Sequence, residues 1–93
     1  MNLFLVKQSP FAISDLEQQC QLVKADDNII LMYDGCYFVN ELDRFASLVN
    51  PQQIFAINVH CTERQLTSKG VTLLSLSDFA DQCFSANHIL TLL

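Results

Sequence analysis

Basic residues are scarce in this chain. Lys and Arg together number 5, against 10 Asp and Glu, so the formal net charge is −5 at pH 7. The five bases are scattered along the sequence and form no cluster. Direct binding to nucleic acid requires a basic surface that displaces counterions from the phosphates. The composition therefore argues against DNA or RNA as a direct partner.

Glycine and long apolar runs are also scarce. The only glycines are Gly35 and Gly70, so the chain has no glycine-rich phosphate loop and a dinucleotide site is disfavoured. No apolar run is long enough to cross a bilayer. The first seven residues lack the basic stretch and the small-residue cleavage site of a signal peptide. We therefore expect a cytoplasmic protein that does not contact membranes.

The four cysteines are widely spaced, and no CxxC pair occurs. This spacing predicts neither a zinc site nor a dithiol redox site, and nothing else in the sequence implies a metal or another cofactor. In the cytoplasm we expect free thiols that mostly act as small core residues. Cys20 and Cys83 lie on apolar helical stripes and are predicted to be buried. Cys36 follows Asp34-Gly35 at the end of a strand, where it is expected to be accessible.

The apolar content is high for so short a chain. Hydrophobic residues make up 51% of the 93 residues and charged residues only 16%. A single domain of this size buries a modest core, and exposed apolar patches usually mark interfaces. We therefore expect the chain to work in an oligomer. Tyr37 and Phe38 are candidates for its interface, since aromatic residues are enriched in buried contacts.

Short apolar runs alternate with amphipathic stretches throughout the sequence. This order predicts a single α/β domain over residues 1–93, with a mainly parallel sheet of four to five strands and helices on both faces. Ile29–Tyr33 is continuously apolar, as expected of a strand covered on both sides. The other predicted strands are Leu3–Val6, Ile54–Asn58, Val71–Leu76 and, as an edge strand or apolar tail, His88–Leu93.

Four helices are expected between these strands. Ser14 and Glu17 form the pattern of a capping box at the start of the first. An apolar stripe from Leu42 to Val49 predicts the second. The third is expected to begin at Thr62 and to close at Lys69-Gly70, and Ser77 is expected to cap the fourth.

The most informative stretch joins the third strand to the third helix, because a thiol lies near the junction. Ligands and reactive groups gather at the carboxyl ends of strands in an open α/β sheet. A helix N-terminus also favours the thiolate form of a nearby cysteine. Cys61 is therefore the candidate nucleophilic thiol, and His60 beside it is a candidate proton acceptor. The plainer interpretation is a space-filling cysteine next to Leu66 and a solvent-facing loop histidine.

Several segments together resemble the DsrH/TusB family, within the broader DsrE-like superfamily. The similarity covers nearly the whole chain, in the family's order. The segments that carry it are Ser9-Pro10-Phe11, Leu31-Met32-Tyr33-Asp34-Gly35-Cys36-Tyr37, Phe55-Ala56-Ile57-Asn58 with Arg64, and Ser77-Asp78-Phe79.

The resemblance implies a DsrE-like fold and a place in a sulfur relay. It implies a hetero-oligomer of related small subunits, a dimer of trimers, which takes persulfide sulfur from an upstream carrier and passes it to a downstream one. In one branch the sulfur ends in 2-thiouridine at the tRNA wobble position, and another branch serves sulfur oxidation. The acceptor cysteine of related subunits aligns with His60, one residue before Cys61. A second family cysteine position aligns with Gln19, beside Cys20.

These observations favour a structural or auxiliary subunit of a cytoplasmic sulfur-relay complex that supports tRNA 2-thiolation. One alternative is a persulfide-carrying sulfurtransferase subunit that uses Cys61, and another is a subunit of the sulfur-oxidation branch. A module that forms its own oligomer is the third, since so apolar a chain has surface available for self-association. Whether the chain is itself an enzyme stays open at this point.

Overall fold

The computed structural model describes residues 1–68 and 70–93. Within these ranges the chain forms one all-parallel sheet in the order β4-β3-β2-β1-β5. The strands are β1 Asn2–Val6, β2 Asn28–Leu31, β3 Ile54–Ile57, β4 Thr72–Leu74 and β5 His88–Leu92. The α-helices are α1 Leu16–Cys20, α2 Asn58–Glu63 and α3 Leu76–Ser85, and the 3-10 helices are Tyr33–Asn40, Leu42–Phe45 and Pro51–Gln53. None of the helices in the described part of the chain is long and apolar enough to cross a membrane.

The α/β fold with helices on both faces is confirmed. The central strands bury apolar side chains on both sides, which is why their sequences are continuously apolar rather than alternating. On one face, Phe4 and Ile29 pack with residues of α1, α2 and the 3-10 helices. On the other, Leu3 and Ile30 form a smaller cluster that is covered by Phe79 and Cys83 of α3.

Two predicted helix starts were wrong because other residues cap the helices. Ser14 is not the cap of α1, and its N–H, which a capping box would direct to Glu17, donates instead to the carbonyl of Leu93 at 3.0 Å. Asp15 caps the helix instead, in the left-handed conformation, and accepts from the N–H of Gln18. Ser75, not Ser77, caps α3 by accepting from the N–H of Asp78 at 3.0 Å. The fourth strand is correspondingly shorter than predicted.

The second and third predicted helices also differ from the structure. The 3-10 helix Leu42–Phe45 occupies only the first half of the second, and turns continue from it to Leu48. The third helix, α2, begins at Asn58 directly after β3 and ends at Glu63. The left-handed residue Gln65 (φ 55°) then reverses the chain. The predicted closure at Lys69-Gly70 lies partly outside the described residues, since it includes Lys69.

A buried polar network fastens the amino ends of β1 and β2. The Asp27 carboxylate accepts from the backbone N–H groups of Asn2 and Lys24, each at 2.9 Å. The Gln53 side chain donates to the carbonyls of Lys24 at 2.6 Å and Asp27 at 2.7 Å. Buried polar groups are tolerated when they are hydrogen-bonded in this way. The network therefore holds two neighbouring strands and the start of β3 at one end of the sheet.

Candidate functional site

The residues singled out from the sequence meet at the carboxyl ends of β2 and β3. Tyr33 and Asp34 directly follow β2, in the first 3-10 helix, while His60, Cys61 and Arg64 lie on or just after α2. Because the strands are parallel neighbours, their carboxyl ends share one edge of the sheet. We refer to these five residues as the strand-end cluster.

Tyr33 and His60 form the tightest contact of the strand-end cluster. Tyr33 has φ 51°, an uncommon conformation for a bulky residue. Its N–H donates to Nδ1 of His60 at 3.0 Å, and the two rings stack with centroids 4.4 Å apart. An imidazole that accepts at Nδ1 carries its proton on Nε2 when neutral. The expectation of a solvent-facing loop histidine was wrong: His60 lies on α2, is 8% exposed and fixes the strained turn after β2.

Arg64 links α2 to the same turn. Its Nε donates to Oδ1 of Asp34 at 3.1 Å, and its Nη1 donates to the carbonyl of His60 at 3.2 Å. The guanidinium thus joins the end of α2 to the segment after β2. Since Asp34 holds it in an ion pair, Arg64 offers only its remaining donors to an anion.

Gly35 brings this turn against the end of β1. A Cβ atom on Gly35 would lie 1.8 Å from the carbonyl oxygen of Val6. The residue of this turn with positive φ is Tyr33, two positions before the glycine. The glycine is needed for close backbone approach instead.

Cys61 is a buried member of the strand-end cluster, and the buried Cys36 is its neighbour. Both thiols belong to the main hydrophobic core, with exposures of 0% and 2%. The Cys36 thiol donates to the carbonyl of Leu31 at 3.5 Å. Burial, followed by the adjacent Cys61 thiol, raises the pKa of Cys36 well above its ordinary value. The expectation that Cys36 is accessible was therefore wrong. The role of Cys61 as a sulfur acceptor stays a prediction.

The raised pKa of Cys36 predicts a loss of stability in alkali. Below about pH 9 the thiol is protonated in both the folded and the unfolded chain, so its contribution is constant. Above that pH the unfolded chain releases the proton while the folded chain retains it, so the free energy of unfolding falls. Urea unfolding between pH 7 and about pH 10.5 should show a steeper fall for the natural chain than for Cys36→Ala. Parallel curves would contradict this assignment.

The other two cysteines lie elsewhere. Cys20 is buried as predicted, and burial raises its pKa to about 11. Its neighbour Gln19, at the second family cysteine position, holds the end of β5: the Leu93 N–H donates to Oε1 at 2.7 Å, and Nε2 donates to the Leu93 carbonyl. Cys83 is half-buried on α3 and packs on the smaller cluster. Neither thiol belongs to the strand-end cluster.

Of the two aromatic residues predicted for an interface, only one is exposed. Tyr37 is exposed, as an interface residue would be, but Phe38 is completely buried and stacks obliquely on Phe45. Phe84 on α3 is 91% exposed. Among the described residues, no group of three or more His, Cys, Asp or Glu side chains could hold a metal ion. The structural role of Tyr33 was missed, because a backbone angle leaves no signal in the sequence.

Comparison with known proteins places this arrangement in a family. The comparison with curated proteins gave no match. The fold is shared with the solution NMR structure of protein Tm0979 from Thermotoga maritima, at a TM-score of 0.67 and 24% sequence identity, over 91% of this chain and 93% of that one. The family described as "DsrH like protein" matches residues 8–88. The chain therefore belongs to the DsrH-like family and is, in general terms, a sulfur-relay subunit.

Proposed function

We propose that this chain is an auxiliary subunit of a cytoplasmic sulfur-relay complex that supports 2-thiouridine formation at the tRNA wobble position. One observation carries the auxiliary role. The position that aligns with the acceptor cysteine of related subunits holds His60, and the Nδ1 atom of His60 is engaged by the N–H of Tyr33. An imidazole cannot carry a sulfane sulfur as a persulfide, because this chemistry requires a thiolate.

The environment of the nearest thiol supports the same role. Reactive cysteines are partly exposed and have a favoured thiolate, whereas buried cysteines are usually inert. Cys61 is 2% exposed and packs against the Cys36 thiol and Leu66 rather than facing a carrier. In transfer from a persulfide, the acceptor thiolate attacks the outer sulfur atom in line with the donor thiolate that leaves, and a buried Cys61 offers no such approach without movement of α2.

The proposed partners follow from the same role. The chain would join related small subunits in a hetero-oligomer, a dimer of trimers, which exchanges sulfur with an upstream and a downstream carrier. Its own contribution would be to shape that complex and its docking surface. The large side chains of Phe11 and Phe84 are exposed and are available for such contacts. The acidic composition supports protein partners rather than direct contact with tRNA.

Sulfur loading tests the auxiliary role directly. The purified chain is incubated with a cysteine desulfurase and its persulfide carrier, and intact mass and peptide mapping locate any added sulfur atom. We expect none on the natural chain, beside a persulfide-accepting subunit that is loaded in the same mixture. The same assay is repeated with Cys61→Ser, and Cys83→Ser serves as its matched control. Sulfur that appears on the natural chain and is lost only in Cys61→Ser would instead make it a persulfide-carrying sulfurtransferase subunit.

Analysis of tRNA distinguishes the thiolation branch from sulfur oxidation. Cells that lack the chain should lose 2-thiouridine from their tRNA, and expression of Cys61→Ser should restore it as fully as the natural sequence. Unchanged 2-thiouridine in cells that lack the chain would reject the thiolation role and favour the sulfur-oxidation branch. If the natural sequence restores 2-thiouridine and Cys61→Ser does not, the auxiliary role is rejected.

A further inference from the structure

Tyr33 is the strained residue of the strand-end cluster. Its φ of 51° is unfavourable for a bulky side chain, and such a conformation persists only where the surroundings hold it. His60 provides the hold, because its Nδ1 atom accepts from the Tyr33 N–H at 3.0 Å and its ring stacks on the phenol ring. The conformation of the turn after β2 therefore depends on an acceptor atom that a proton can occupy.

The same hydrogen bond connects the two segments that carry the buried thiols. Cys36 and Cys61 pack where the 3-10 helix that begins at Tyr33 meets α2. Apart from these thiols, the polar contacts between the two segments in the described part of the chain are the hydrogen bond of Tyr33 and the ion pair of Asp34 with Arg64. The Asp34 side chain is 61% exposed, and ion pairs open to water contribute little. The hydrogen bond is therefore the stronger of the two links.

We propose that His60 is a proton-dependent switch that controls access to the thiols of Cys61 and Cys36. A neutral imidazole has one acceptor nitrogen, whereas a protonated one has two donors and no acceptor. A proton on Nδ1 would face the Tyr33 N–H, so the hydrogen bond is lost and the strained turn is released from α2. Histidine ordinarily changes charge between about pH 5 and pH 8. The inference concerns access to the thiols and is independent of the sulfur-relay proposal.

The groups around His60 favour release over a protonated ring held in place. The Arg64 guanidinium donates to the His60 carbonyl at 3.2 Å and opposes a second positive charge there. Asp34 would attract that charge, but its Oδ1 atom is engaged by Arg64 and its side chain faces water. The stacked Tyr33 ring also attracts a cation, yet burial of the imidazole penalises the charged form. The other titratable or charged groups on the neighbouring segments are the buried thiols of Cys36 and Cys61 and the exposed side chains of Lys7, Tyr37 and Glu63.

Labelling with dithiodipyridine, which reacts with thiols in acid as well as at neutral pH, tests the switch. Peptide mapping gives the rate at each cysteine between about pH 8 and pH 5, and the urea-unfolded chain at each pH corrects for the reagent. Relative to the half-buried Cys83, labelling of Cys61 and Cys36 should rise about 10-fold or more as the pH falls, as expected for loss of a buried hydrogen bond. Cys20, which is buried on α1, should stay protected and so report that the fold is intact.

The two histidines of the chain supply a matched pair of variants. His60→Asn offers an amide oxygen in place of Nδ1 and does not titrate, so labelling of Cys61 should stay low at every pH. His88→Asn replaces the exposed histidine on β5 and should keep the full response to acid. Labelling of the natural chain that does not change with pH would overturn the proposal. So would an equal rise in His60→Asn, or a rise at Cys20 parallel to that at Cys61.

Amide hydrogen exchange of the natural chain keeps the test decisive if His60→Asn fails to fold. Corrected for the intrinsic effect of pH, protection of the Tyr33 amide should fall between about pH 8 and pH 5. Protection of the paired amides of β1 and β2 should stay constant over the same range. Unchanged protection at Tyr33, or an equal loss throughout the sheet, would reject a local switch at His60.

Discussion

Gly35→Ala is expected to cost about 3 kcal/mol or more of unfolding free energy. The added methyl carbon would lie 1.8 Å from the Val6 carbonyl oxygen and 2.6 Å from the Val6 carbonyl carbon. Both atoms belong to the backbone of β1, which is held by pairing with β2 and β5. No side-chain rotation can relieve this overlap, so the turn after β2 must separate from the sheet. Overpacking of a fixed site commonly costs about 1–3 kcal/mol and sometimes more.

Chemical denaturation of Gly35→Ala beside Gly70→Ala measures this effect. Gly70 has φ 83° but open space around it, and a methyl group there would lie 3.8 Å from the Leu42 Cδ1 atom. Its substitution therefore introduces backbone strain of about 1 kcal/mol without a collision. Equal losses in the two variants would show that backbone conformation, not space, makes glycine necessary at position 35.

Asp27→Ala is expected to cost about 2–5 kcal/mol, because it removes a buried acceptor that serves two donors. The side chain is 3% exposed and accepts hydrogen bonds from the backbone N–H groups of Asn2 and Lys24. Its removal leaves both donors without this acceptor, and an unsatisfied buried donor costs about 1–3 kcal/mol. The loss acts where β1 and β2 begin, so it should loosen the register of the two central strands as well as lower stability.

The neighbouring Asp26 supplies the control for this substitution. Asp26 is exposed, so Asp26→Ala should change the free energy of unfolding by no more than about 0.5 kcal/mol. Urea unfolding of both variants separates loss of the buried acceptor from loss of negative charge. Faster amide exchange at Asn2 and Lys24 in Asp27→Ala alone would locate the effect. Similar stabilities for the two variants would contradict the role assigned to the network.

The strands were predictable because burial on both faces leaves a strong signal. Ile29–Leu31 can be continuously apolar only where both faces of a strand are covered, and the parallel order follows from the intervening helices. The family resemblance added the fold type and the sulfur-relay context. The same reasoning placed His60 and Cys61 at a strand end, which the structure confirms as a location.

The details of the site were less predictable because they depend on contacts distant in the sequence. Ser14 had the right spacing for a cap, but the carbonyl of Leu93 competes for its N–H. The left-handed angle of Tyr33 depends on the acceptor supplied by His60. The burial of Cys36 depends on α2 packing over it, and the exposure of Phe84 depends on how α3 is rotated on the sheet. Local patterns contain none of these partners.

The position of β1 between β2 and β5 determines how late the sheet can be completed. Leu3 pairs with Asn28 of β2 on one side and with Ile89 of β5 on the other. During synthesis from the amino end, β1 must therefore wait for β5 before its second side is paired. All-parallel sheets contain no local hairpins, so their pairings close through long loops and form slowly. Until β5 arrives, Leu3–Val6 is an exposed apolar edge, and protection from aggregation during that interval is a requirement that this topology imposes on the cell.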